Sequence, residues 1–162
     1  MAEVVVRMGE RTEEMATEVN NVILYGLYKG LNKTLGSGAK AIGSPVGDEV
    51  LKLMMEKYNL NFEGSDDPQE LLNRFTRVMI ETFGFAKSGS VEVNGREITL
   101  KLEEPMDLPV LEMLKEEGIT PVIYPMANAI VSAVRKFSGK KVLLKTIEFE
   151  GKDVTVKMKM LG

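Results

Sequence analysis

The stretch Ser90–Leu102, SVEVNGREITLKL, decides the fold. Val91 and Val93 precede Asn94-Gly95, and Ile98, Leu100 and Leu102 follow, each apolar residue set off from the next by a polar one. A period of two puts one face of a strand in a core and the other in water. Asn-Gly between two such runs is the strongest short-range signal for a hairpin. The pattern returns at the end of the chain, where Val142–Glu150 runs to Gly151 and Val154, Val156, Met158 and Met160 then alternate with Thr155, Lys157 and Lys159. Two such hairpins predict an antiparallel sheet of about four strands, covered on one face only.

Outside these hairpins the period becomes helical. From Thr12 to about Leu35, Met15, Val19, Val22, Ile23, Leu27 and Leu31 recur at helical spacing, with Thr12 as cap and Glu13 and Glu14 in the first turn. Gly26 and Gly30 lie four apart in this helix. Each costs about 1 kcal/mol against alanine, so the bare face is expected to receive a closely packed backbone or a ligand. Ser44-Pro45 reads as a cap and first helical position of a second helix ending near Tyr58, with Val46, Val50, Leu53 and Met54 inward. Ala39–Ile42 is either a short preceding turn or a kinked extension of it. Asp67 caps a third helix, with Pro68 first and Glu70 completing an approximate capping box. Its stripe is Leu71, Leu72, Phe75, Val78, Met79, Thr82 and Phe83, closed by Gly84.

A short helix over Val110–Glu117 follows the first hairpin and ends at Gly118. The most buried helix is expected from Pro121 to about Phe137, carrying Val122, Ile123, Met126, Ala127, Ile130, Val131 and Val134, with Pro125 inside it or at its start. This order predicts an α+β fold in which a helical layer packs on one face of the sheet. A single domain is expected over residues 1–162, with 1–11 as an N-terminal extension.

Composition narrows the chemistry. The 162 residues include neither cysteine nor histidine, which removes disulfides, thiolate zinc, a cysteine nucleophile, a haem histidine and every histidine triad. Net charge is −3 with lysine and arginine scattered, so no basic face for nucleic acid is legible. Apolar runs such as Val22–Leu24 are far too short to span a membrane, and the opening MAEVVVRMGER lacks a cleavage site, so the protein is expected in the cytoplasm. The paired acids Asp66-Asp67, Glu103-Glu104 and Glu116-Glu117 point apart by their spacing. Phosphate-loop, dinucleotide and serine-nucleophile patterns are absent. No catalytic or metal residue and no cofactor is therefore expected, and the chain leans away from being an enzyme.

Tyr25, Tyr28, Phe75, Met79, Phe83, Tyr124 and Met126 fall on or beside helices expected to face one another. Methionine adapts to irregular apolar space and tyrosine adds a polar tip, so the set reads either as a pocket wall or as ordinary core. Asn128 is a polar residue in an apolar helix and needs a partner, whether backbone, side chain or ligand.

The runs LNKTLGSGAKAIGSPVGDEVLKLMMEKY (31–58) and YPMANAIVSAVRKFSGKKVLLKTIEFEGKDVTVKMKM (124–160) resemble 4-vinyl reductase domains. Those domains belong to a superfamily shared with the core subunits of the TRAPP vesicle-tethering complex and the haem-nitric-oxide domains. The likeness covers about Leu31 to Met160. It implies an apolar pocket for a hydrocarbon-like or other small molecule, often within a dimer, and brings no reaction with it. Many relatives carry cysteines near the positions of Pro105 and Tyr124-Pro125, and the tethering subunits carry an acylated cysteine; this chain has none. What the resemblance leaves is non-covalent binding of an apolar molecule between the first, third and last helices, by a homodimer. The ligand-binding residues it implies are Tyr25, Gly26, Phe75, Met79, Phe83, Tyr124, Met126 and Asn128. Two other readings stand beside it. One is an interaction module built on the Gly26/Gly30 face; the other is a reductase of a vinyl-bearing tetrapyrrole-like substrate whose cofactor a partner supplies.

Overall fold

The computed structural model describes residue 9, residues 12–121 and residues 123–162. Apart from Gly9, the expected N-terminal extension lies outside the described residues, and so does Val122. Helix α1 spans Glu13–Leu35, and the Thr12 hydroxyl accepts from the Met15 amide at 3.2 Å, the cap the sequence predicts. A 3₁₀ segment, Gly36–Ile42, leads without a break into α2, Gly43–Tyr58. Ser44 therefore has no cap to make: the residue before α2 is already helical, and the Ser44 hydroxyl instead accepts from Arg135 at 2.8 Å. Leu53, expected inward, is 60% exposed. The buried face of α2 is Gly43, Gly47, Leu51 and Met54, because two glycines rather than two large side chains set where the neighbouring helix comes in.

Helix α3, Pro68–Arg77, starts with the Asp67 carboxylate accepting from the Gln69 amide at 3.3 Å. It passes into a π-helical turn, Val78–Thr82, in which the Phe83 amide bonds back to the Val78 carbonyl at 3.3 Å. The extra residue in that turn rotates the apolar stripe. Thr82 consequently faces solvent and Phe83 is half-buried, where an uninterrupted helix would have aimed both at the core.

Strands β1 (Ser88–Asn94) and β2 (Glu97–Glu103) form the first hairpin. The two loop residues are Gly95 and Arg96, and Gly95 takes φ +60°. A positive φ at the first loop position alone is the setting of a II′ turn. After α4 (Leu108–Glu116) and α5 (Pro125–Ser138), β3 (Lys141–Glu150) and β4 (Asp153–Leu161) form the second hairpin. The sheet has four strands in the order β1-β2-β4-β3, and each neighbouring pair is antiparallel. Ile98, Leu100, Leu102, Val154, Val156 and Met158 are buried on the inner face beneath the helices. A register shift between Leu144 and Thr146 bends β3. The α+β layering predicted from the two hairpins is the observed fold.

Helix α5 begins at Pro125 and not at Pro121. A residue before proline is driven out of the helical region, and Tyr124 is extended at φ −134°, ψ 96°. Ile123 is buried from this extended segment rather than from a helix. The main core lies between sheet, α2, α3 and α5, with Phe62 stacked on Phe75 at 5.3 Å. A second cluster of Tyr28, Ala39, Val110, Leu114 and Ile123 joins α1 to α4. Among the described residues no helix is long and apolar enough to cross a membrane.

Candidate functional site

Helix α1 lies over the rest of the fold and buries a single residue, Tyr28. Its inner face and the surface below frame a half-open pocket of about 190 Å³. Leu24 of α1, Val50 of α2, Phe85, Met106, and Pro125 and Met126 of α5 make the walls apolar, while Thr17, Asn20 and Asn21 supply polar edges. Asn21 donates to the Met106 carbonyl at 3.3 Å, tying α1 to the loop at the rim.

Among the described residues one charged side chain lines the pocket, Asp107, only 4% exposed. It occupies the cap position of α4, and its carbonyl accepts from Val110 and Leu111. Its carboxylate makes no cap. Pro109 lacks one of the two amide hydrogens such a cap could use, and the other, on Val110, donates to the Asp107 carbonyl; the carboxylate accepts from the Tyr124 hydroxyl at 3.2 Å. Burial pushes the Asp107 carboxyl up to about 6, against the smaller opposing effect of the Tyr124 hydrogen bond. Burial, and then the nearby Asp107 charge, hold both Tyr28 and Tyr124 well above the ordinary tyrosine range. The Tyr28 hydroxyl is buried and has no hydrogen-bond partner among the described residues. An apolar chamber with one buried carboxylate on its wall can hold a ring and accept one hydrogen bond from it.

The residues singled out from the sequence divide around this pocket. Met126 lines it, and Tyr124 stands behind it holding Asp107. Asn128 is buried, its side-chain oxygen accepting from the Tyr124 amide at 2.9 Å, so it fixes the start of α5. Phe75 and Met79 are fully buried in the main core, and Phe83 meets Tyr58 edge-on at 4.7 Å. Tyr25 is not among the lining residues: its hydroxyl donates to Glu117, which Lys29 also grips at 2.6 Å, fastening α1 to the end of α4. Gly26 faces open space. The chamber thus forms between α1, α2 and the start of α5, and α3 contributes none of its walls. Asp107 is not legible as a site residue in the sequence, where the short helix is expected only from Val110 although it begins at Leu108; the missing amide at Pro109 is the one local signal.

A four-stranded sheet, a helical layer and a pocket beneath the first helix define the α+β architecture of this chain. Residues 20–161 match the family described as "Putative rubredoxin C-terminal domain", and the chain belongs to that family. Among solved structures, the phenol-responsive sensory domain of the transcription activator PoxR, with phenol, superposes with TM-score 0.57 at 16% identity, covering 86% of this chain and 74% of that one. An H-NOX protein from K. algicida gives TM-score 0.47 at 10% identity over 98% of this chain and 78% of the other. One from T. Tengcongensis gives 0.46 at 9% over 99% and 80%. No curated protein sequence matches the chain. The family description speaks of a rubredoxin, but thiolate-bound iron does not fit this chain, whose residues include no cysteine. Haem held by an imidazole or thiolate does not fit it either, for want of both side chains.

Proposed function

We propose that the protein is a non-catalytic cytoplasmic binding or sensing domain for a small apolar ring compound carrying one hydrogen-bond donor. The buried Asp107 on the wall of a pocket whose other walls are mostly apolar, with Thr17, Asn20 and Asn21 at the edge, carries this reading. A purely structural carboxylate so placed costs stability, whereas one that accepts from a ligand hydroxyl regains part of its lost hydration. An apolar cavity of roughly 150 Å³ takes benzene, so 190 Å³ suits a single six-membered ring with a substituent. The shared fold with a phenol-responsive domain supports the same class. A homodimer belongs to the proposal, since α1 covers the pocket with one face and its other face carries exposed Met15, Val19, Val22, Ile23 and Leu27 among the described residues.

Calorimetric titration with phenol and with toluene tests it. Saturable binding of phenol at least tenfold tighter than toluene is expected, with the preference abolished in Asp107→Leu. Val50→Phe, which places a ring in the chamber, should remove binding of both. Absence of saturable heat with either compound in the wild-type protein would overturn the proposal.

A further inference from the structure

A larger groove, half-open and of about 800 Å³, follows the outer edge of the sheet. β3 is an edge strand, and every residue from Lys141 to Glu148 lines the groove; the facing wall comes from α5 and from the segment leading into α2. No residue lines both this groove and the pocket beneath α1. Its floor is apolar. Val142, Leu144 and Ile147 pair with Met160, Met158 and Val156 of β4 on the inner face, and Val131 of α5 joins them. Leu144, Ile147 and Val131 stay half-buried, since β3 has no further strand on its outer side among the described residues. The rim is cationic in a chain of net charge −3: Lys40, Arg135, Lys141 and Lys145 line the groove against one acid, Glu148. Glu148 is held by Lys157 at 3.0 Å, and Arg135 is held by Asp48 and Ser44. Lys40, Lys141 and Lys145 have no ion-pair partner among the described residues. Lys145 falls at the register shift of β3, outside the paired residues, where a bulge re-aims a side chain. Lysines and bulges also guard sheet edges against strand pairing, but guarding requires no apolar groove behind them.

We infer that this groove binds an amphipathic anion, its apolar body laid on Val131, Leu144 and Ile147 and its carboxylate or phosphate head among the lysines. The inference does not depend on what fills the pocket beneath α1. The groove lies within the roughly 300–1,000 Å³ range of small-molecule sites, which join an apolar lining to a few placed polar groups. Neither half of the chemistry suffices alone. A neutral apolar molecule covers the floor and leaves three lysines without a counter-charge. A bare inorganic anion meets only exposed cations, and exposed ion pairs contribute little each. A molecule with both parts uses the floor for affinity and the lysines for the choice of head group. The connection between elements places that head. Helix α5 ends at Ser138 and β3 begins at Lys141, so Arg135 and Lys141 stand at the same end of the groove. Lys40 comes to the facing wall four residues before Ser44, whose hydroxyl accepts from Arg135. The body then runs along β3 from Val142 to Ile147, a span of roughly 16 Å at the usual rise of a strand.

Heteronuclear NMR titration of the isotope-labelled full chain with decanoate, below its micelle concentration, tests the site. Saturable shifts are expected at the amides of Val131, Leu144 and Ile147, and Val50→Phe should leave them unchanged. Decanoate should bind at least fivefold tighter than decanol or decyltrimethylammonium at low salt, and the preference should shrink as salt screens the lysines. Lys40→Glu combined with Lys141→Glu changes two exposed side chains. It should weaken decanoate at least tenfold, with decanol binding and circular dichroism unaltered. Absence of saturable shifts, shifts confined to the surroundings of Asp107, equal affinity for the three head groups, or a double variant as tight as the wild type would each overturn the inference. Flotation with phosphatidylglycerol vesicles separates a single bound anion from a lipid surface: vesicle binding without saturable decanoate shifts would also overturn it. Phenol titration reads the pocket beneath α1, so the two ligands can fail separately.

Discussion

Asp107 and Tyr28 set the energetics of the site one side chain at a time. The Asp107 carboxyl sits at about 6 in the folded chain against 3.8 in its ordinary state. Between those values the folded state holds the proton more tightly than the unfolded one, so stability falls as pH rises through that window. About 3 kcal/mol is at stake at neutral pH for a shift of this size. The exposed Glu103, Glu117 and Glu148 carboxyls are held low by their hydrogen bonds and neighbouring lysines, and they act in the opposite sense at more acid pH. The contribution of Asp107 is therefore read as a difference. Asp107→Asn keeps a hydrogen-bonding group facing Tyr124, and chemical denaturation of variant and wild type should converge near pH 4 and separate by pH 7, the variant being more stable. Parallel curves would show that Asp107 does not titrate in this window. Tyr28→Phe removes a buried hydroxyl with no partner among the described residues, and should leave stability unchanged or raise it by about 1 kcal/mol. A loss of 1 kcal/mol or more in urea unfolding would mean that the hydroxyl is bonded in solution.

Among the elements, two pairs of glycines make the sharpest contrast. Gly26 and Gly30 on α1 and Gly43 and Gly47 on α2 have the same four-residue spacing, yet among the described residues only the second pair takes a close neighbour. A Cβ on Gly47 would stand 2.2 Å from the Asn128 carbonyl oxygen, and one on Gly43 would stand 2.8 Å from the Asn128 side-chain nitrogen. Helix α2 thus rests backbone against backbone on α5. Gly47→Ala must push the helices apart and is expected to cost 3 kcal/mol or more, roughly the scale of a severe core defect. Gly26→Ala meets nothing within 4 Å among the described residues and should stabilise α1 by about 1 kcal/mol when measured at a concentration where the chain is monomeric. Thermal unfolding of the two variants side by side would decide the matter, and equal effects would contradict the packing. Spacing could not tell the pairs apart, because it shows where a backbone can be approached and not what approaches it. The hairpins were legible for the converse reason: alternation and turn glycines act within a few residues. The π-helical turn at Val78–Thr82 was not, since nothing in a regular stripe announces one extra residue.

For the whole molecule, ligand and dimer both bear on α1, whose inner face roofs the pocket and whose outer face is exposed among the described residues. A pairing that exists only between folded chains makes stability depend on protein concentration. The unfolding midpoint should therefore rise across a hundredfold increase in concentration, and saturating phenol should add a further rise that Val50→Phe lacks. A midpoint indifferent to both would leave α1 as an ordinary solvent-facing helix. By itself the sequence determined the elements, the one-sided sheet, the α+β layering and the absence of thiol and imidazole chemistry, because caps, turns and periodicity are local and missing atoms are absolute. Tertiary structure alone decided that Phe75 and Met79 are core, that Tyr25 is a fastening on Glu117, and that an aspartate at a helix start turns into a chamber. Those assignments depend on which surfaces meet across long sequence distances, and burial, unlike periodicity, is a property of the meeting.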